Sequence, residues 1–107
     1  MSKILVIDDN IDTCKLLKSY LSRKRFEVDT AYSGNEGLKL LNSKKYNVVL
    51  CDYRLPDSDG LKMIDNILKI DSNVKIIIIT GYSDVNLAVK SIKMGAYEYV
   101  TKPILPD

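Results

Sequence analysis

The chain is 107 residues long, enough for one domain with a single core and too short for two. Its 46% hydrophobic and 28% charged residues are those of a folded globular protein and exclude a disordered one; the 16 basic and 14 acidic residues are spread along the chain, which leaves no broad cationic face for direct binding of nucleic acid. No histidine is present, so His-based catalysis and the common His/Cys metal sites are excluded. The longest aliphatic runs, Ile4 to Ile7 and Ile76 to Ile79, fall far short of the ~20 residues of a membrane-spanning helix. With no cleavable signal pattern either, the expectation is a cytoplasmic protein without a membrane partner. Its two cysteines, Cys14 and Cys51, are expected to be reduced and buried.

In chain order, Lys3 to Ile7 reads as a short strand that ends at Asp8-Asp9-Asn10. A helix follows, with Ile11, Cys14, Leu17 and Leu21 on helical spacing and Leu16 and Tyr20 widening its apolar face. Ser22 to Arg25 supplies basic residues suited to the negative end of that helix. Phe26 to Ala31 alternates apolar and polar, as a half-exposed edge strand does. Ser33-Gly34-Asn35-Glu36 fits a capping box, so a second helix starts near Gly34 and fades by Ser43.

Tyr46 to Cys51 predicts the central strand, which closes on Asp52 before Pro56. After the polar turn Asp57-Ser58-Asp59-Gly60, a third helix carries Leu61, Ile64, Ile67 and Leu68 on one face. Lys75 to Thr80 is the most apolar strand, as one covered on both sides should be. Ser83 is expected to cap a fourth helix running from Asp84 to about Met94, stopped by Gly95. On it Val85, Ala88, Val89 and Ile92 form one stripe while Leu87 and Met94 lie off it, so the helix offers hydrophobes to more than one surface. Tyr97 to Thr101 is the last strand, with Tyr97 expected to pack on its face, and Lys102-Pro103 follows.

Strands alternating with helices, joined by right-handed crossovers, predict an α/β fold: a doubly wound, five-stranded parallel sheet. The alternation calls for a fifth helix, but the chain stops at Asp107, so a domain of residues 1–107 lacking its last helix, truncated or excised, is expected. Apolar surface beside the first and last strands should then be open to self-association.

In a parallel sheet, Asp8 and Asp9, Asp52, Thr80 and Lys102 all fall at the carboxyl ends of strands, the edge where open α/β sheets bind ligands. Any one of these residues suits an ordinary strand end. Three carboxylates forced together, however, raise one another's pKa and need a compensating cation. A hard divalent ion such as Mg²⁺ suits them, and Lys102 supplies a second positive charge.

The motifs Val6-Ile7-Asp8-Asp9-Asn10, Cys51-Asp52-Tyr53-Arg54-Leu55-Pro56, Asp59-Gly60, Ile79-Thr80-Gly81 and Gly95 to Pro103 occur in this order. Over its full length the chain resembles the receiver domains of bacterial two-component response regulators. The resemblance implies a flavodoxin-like strand order 2-1-3-4-5. It also implies that Asp52 is the phosphoacceptor, receiving a phosphoryl group from a sensor histidine kinase or phosphotransfer protein. Asp9, Asp52 and the backbone carbonyl of Arg54 would hold Mg²⁺, with Asp8 acting through bound water. Lys102 and Thr80 would contact phosphoryl oxygens, and Thr80 with Tyr99 would form the switch. The fourth helix and last strand would then meet an effector or a second copy. Such a protein modifies itself and is no enzyme for an external substrate. Arg54 and Tyr82, neither an acid nor an amide, imply a long-lived phosphoryl group. A docking module of the same fold that is never phosphorylated is the alternative; an aspartyl phosphatase is disfavoured, because Arg54 stands where its second aspartate belongs.

Overall fold

The computed structural model describes residues 2–81 and 84–102. Tyr82 and the expected cap Ser83, together with Pro103 and the segment to Asp107, lie outside the described residues. The elements are β1 (Lys3–Ile7), α1 (Ile11–Arg23), β2 (Glu27–Ala31), α2 (Gly34–Ser43), β3 (Val48–Asp52), α3 (Gly60–Ile70), β4 (Lys75–Thr80), α4 (Val85–Met94) and β5 (Glu98–Thr101). All strand pairs are parallel and the order is β2-β1-β3-β4-β5. Both the α/β class and the order 2-1-3-4-5 therefore stand as expected.

The apolar runs are continuous because the central strands are covered on both faces. Leu5 and Ile7 of β1, Val49 and Cys51 of β3, and Ile76 and Ile78 of β4 point to one face, where Met63, Ile64 and Ile67 of α3 meet them. Ile4 and Val6 point the other way and meet Cys14 and Leu17 of α1, beside Val28 of β2. Both cysteines are free and buried. Met63, absent from the expected stripe of α3, is fully buried.

Helix α1 turns a narrower stripe inward than its spacing predicts. Cys14 and Leu17 are buried, but Ile11 is 53% and Leu16 57% exposed. Helix α1 lies against β1 and β2 at one side of the sheet, which leaves its flanks in solvent. It ends in a Schellman arrangement: the Phe26 N–H donates to Leu21 O and the Arg25 N–H to Ser22 O, with Arg25 at φ 71 where glycine is usual.

Asp84 caps α4, accepting from the Leu87 N–H, and Gly95 ends it at φ 116. The hydrophobes of α4 divide between two sides. Leu87 and Ala88 are half-buried and Ser91 fully buried, whereas Val85 is 77% exposed and Val89 and Ile92 are in solvent. Small residues suit the side that packs on α3, and the β-branched ones are left outside. Tyr97 precedes β5 instead of packing on its face; it is exposed, with the Lys75 ammonium 5.0 Å from its ring.

The Ser91 hydroxyl has no hydrogen-bond partner among the described residues. Ser91→Ala removes an unsatisfied buried hydroxyl and improves helix propensity, so it should stabilise the protein by about 1 kcal/mol. A urea midpoint that stays or falls would show that the hydroxyl is bonded after all.

Candidate functional site

Register places the site. Ile7 of β1 lies opposite Cys51 of β3, Asp52 opposite Ile79 of β4, and Thr80 opposite Thr101 of β5. The residues that follow β1 and β5 therefore reach the same sheet edge as Asp52, the last residue of β3. The Lys102 N–H donates to Thr80 O at 2.7 Å, which extends the β4–β5 ladder and holds the lysine at this edge.

Asp8 is almost wholly buried, 4% exposed. Its Oδ1 accepts from the Asn10 N–H at 2.9 Å and its Oδ2 from Lys102 Nζ at 3.2 Å. The Cys14 thiol donates to its backbone carbonyl at 3.2 Å. Asn10 in turn caps α1 by accepting from the Thr13 N–H, so one turn both starts the helix and orients the acid. Lys102 Nζ also lies 3.5 Å from Asp52 Oδ1, while Asp9 is exposed beside them. One carboxylate oxygen from each of Asp8, Asp9 and Asp52 falls within 4.8 Å of the others. Three hard oxygen donors at an open edge fit a divalent cation such as Mg²⁺ or Ca²⁺.

Burial and the neighbouring Asp8 push the Asp52 carboxyl up from 3.8 to about 6, against the opposing pull of Lys102. Lys102 moves up from its usual value: burial works against the charge, but Asp52 and Asp8 together outweigh it. Asp52 is thus a poorly solvated carboxylate that is still mostly ionised at neutral pH. Such a group is a competent oxygen nucleophile once the surrounding negative charge is neutralised.

Thr80 is buried at the end of β4, and its hydroxyl is near enough to Tyr99 to pull the phenol pKa down. The Tyr99 ring packs against the core cluster, as does Tyr53. Burial, and then the negative charge of Asp84, raise the Tyr99 phenol. Arg54 is exposed and forms an isolated antiparallel bridge with Asp59, which closes the loop between β3 and α3.

Residues 4–107 match a family model described as the response regulator receiver domain. The chain belongs to that family. Transcriptional regulatory protein ZraR of Salmonella typhimurium is 36% identical over 101 residues, which is 94% of this receiver and 23% of ZraR. A response regulator from Burkholderia pseudomallei, crystallised with a phosphorylated aspartic acid, calcium ion and citrate, superposes with a TM-score of 0.93 at 31% identity. The match covers 98% of this receiver and 62% of that chain. A receiver domain from Clostridium thermocellum gives a TM-score of 0.91 at 36% identity over 98% and 85% of the two chains. This receiver therefore spans about a quarter of the length of the curated relatives it matches.

Asp8, Asp9, Asp52 and Lys102 form one cluster in this receiver, with Thr80 and Tyr99 near each other beside it. What sequence reasoning missed is the wiring between elements. Asp57 and Asp59 read as turn residues, yet Asp59 caps α3 by accepting from the Lys62 N–H, and Asp57 bonds to α2. The expected capping box of α2 is displaced: Ser33 accepts from the Glu36 N–H, but Glu36 reaches the Tyr32 N–H in place of Ser33's own. The Asp-x-x pattern before Lys62 could have signalled the first; nothing local signals a bond across more than twenty residues.

Proposed function

We propose that this receiver accepts a phosphoryl group on Asp52 from a phosphohistidine of a sensor kinase or phosphotransfer protein. The supporting observation is the arrangement of three carboxylates around one lysine, with Asp52 poorly solvated among them. An Asp52 carboxylate oxygen attacks phosphorus as the phosphorus–nitrogen bond breaks, and the electron pair returns to the leaving imidazole. Asp9, Asp52 and the Arg54 carbonyl would hold Mg²⁺, with Asp8 acting through bound water, and the ion would supply neutralising charge at the phosphoryl group. Lys102, already drawn between Asp8 and Asp52, pairs with a phosphoryl oxygen, and the Thr80 hydroxyl donates to another.

The Thr80 hydroxyl acts on the Tyr99 phenol, so drawing it toward the phosphoryl group changes the surroundings of the tyrosine ring. The readout is the exposed apolar stripe Val85, Val89 and Ile92 on α4, beside β5, which meets an effector domain or a second copy. Arg54 offers no acid or amide to orient water, which supports a slow loss of phosphate. The receiver turns over no external substrate. No helix among the described residues is long and apolar enough to cross a membrane, which fits a cytoplasmic partner of a kinase.

Intact mass after incubation with Mg²⁺ and acetyl phosphate tests the proposal. The wild type should gain one phosphoryl group and Asp52→Asn none. A folded, Mg²⁺-binding wild type that gains nothing would leave a docking module instead.

A further inference from the structure

Asp57 has no part in the chemistry above, yet its carboxylate joins two elements that sequence keeps apart. Its Oδ1 accepts from the Gly34 N–H and its Oδ2 from the Asn35 N–H, each at 2.8 Å. These are the first two amides of α2, donors that the helix itself leaves unsatisfied. A capping side chain usually stands just before its helix. Asp57 instead reaches back 22 and 23 residues, from the loop between β3 and α3.

That loop carries Arg54. Its ends are fixed where the Tyr53 N–H donates to Ile79 O and the Gly60 N–H to Tyr53 O, and Leu55 donates to Ser58 O within it. The Asp57 bonds fasten its tip to α2. On its other side α2 bears on β1: a Cβ on Gly37 would lie 2.5 Å from Ile7 Cδ1, and Ile7 immediately precedes Asp8. Helix α2 is thus braced between the strand that leads into Asp8 and Asp9 and the loop that follows Asp52.

We infer that Asp57 is a positioning residue for the metal site, whose hold on α2 sets where the Arg54 carbonyl stands relative to Asp9 and Asp52. The inference rests on the Mg²⁺ site proposed above. Releasing the hold lets the loop tip drift and weakens the cation without removing any of its ligands.

Isothermal titration with Mg²⁺ on the unphosphorylated protein, paired with thermal melts in EDTA, tests it. Asp57→Ala should weaken Mg²⁺ by about five- to tenfold, at or below the range for groups bonded directly to a metal ligand. Asp57→Asn, which keeps one acceptor oxygen, should restore part of that loss. Gly34→Ala attacks the same contact from the other side. Its Cβ would stand 2.9 Å from Met63 Sδ, 3.1 Å from Asp57 Oδ1 and 3.2 Å from Ser58 Cβ, and it too should weaken the ion. Ser33→Ala is the control, because the Ser33 hydroxyl caps α2 at the Glu36 amide and has no hydrogen bond to the loop among the described residues. It should lower the melting temperature yet leave Mg²⁺ affinity within about twofold of wild type.

Unchanged affinity in Asp57→Ala, or an equal loss in Ser33→Ala, would overturn the inference. A wild type that fails to bind Mg²⁺ would remove the proposed metal site itself, and the inference with it.

Discussion

Asp52→Asn should make the metal-free protein more stable at neutral pH, by about 2 kcal/mol. In the folded chain the Asp52 carboxyl titrates at about 6 instead of 3.8, because it is buried and faces Asp8. A raised carboxyl pKa means that the folded state binds the proton more tightly than the unfolded one. The favourable contribution is full below pH 3.8, declines as pH rises to about 6, and is absent at pH 7.5. The difference is worth about 3 kcal/mol at ~1.4 kcal/mol per pH unit, with the pull of Lys102 already included, and solvent screening at the part-exposed carboxyl reduces it to about 2 kcal/mol. Urea unfolding in EDTA should therefore show the variant ahead of wild type at pH 7.5, with the gap closing between pH 6 and 4. Adding Mg²⁺ should narrow it at pH 7.5, since an ion at a hundred times its Kd adds about 2.7 kcal/mol to the form that binds it. A variant less stable than wild type in EDTA at pH 7.5 would mean that Lys102 more than compensates the acids.

Lys102→Met should act in the opposite direction. Its ammonium is 3.2 Å from Asp8 Oδ2 and 3.5 Å from Asp52 Oδ1, and the Asp8 side chain is 5% exposed. Removing one partner of a fully buried ion pair costs about 3–5 kcal/mol. Because the lysine side chain is 31% exposed, solvent reduces this to about 2 kcal/mol. The loss should be seen in EDTA at pH 7.5 and largely recovered in Mg²⁺. Lys102 is raised above its usual value on folding, so its stabilisation is full below about pH 10.5 and is lost only at higher pH. The variant should accordingly lack that part of the alkaline decline. Phosphoryl uptake from acetyl phosphate should also slow, by about 10²-fold if the ammonium contacts a phosphoryl oxygen. Equal stability of variant and wild type in EDTA would remove the argument that the lysine holds the acids together. With Asp52→Asn it completes a double-mutant cycle, and the two effects should not add.

The strands were legible because runs such as Ile76 to Ile79 have no other use in so small a chain, and the site was legible because its groups end those runs. Helix faces were less so. Periodicity says that Ile11 and Cys14 share a side of α1, but not how far the sheet extends beneath it, and Ile11 ends in solvent. On α4 the apolar spacing says that hydrophobes serve more than one surface, but not which of them faces inward; Val85 and Val89 lie outside, and Ser91, which no apolar pattern includes, is buried. Asp57 is the clearest case. Its role is a bond to a helix two elements earlier, and only tertiary structure brings the donors to it.

Lys102 and Asp8 stand 94 positions apart, yet they meet at the centre of the site. Between them the site draws on β1, β3, β4 and β5, so its contacts are among the most non-local in the molecule and carry the largest loop-closure entropy. No partly folded intermediate that lacks either end of the chain can assemble it. Under the proposed function, uptake of a phosphoryl group would therefore report that these four strands have come together.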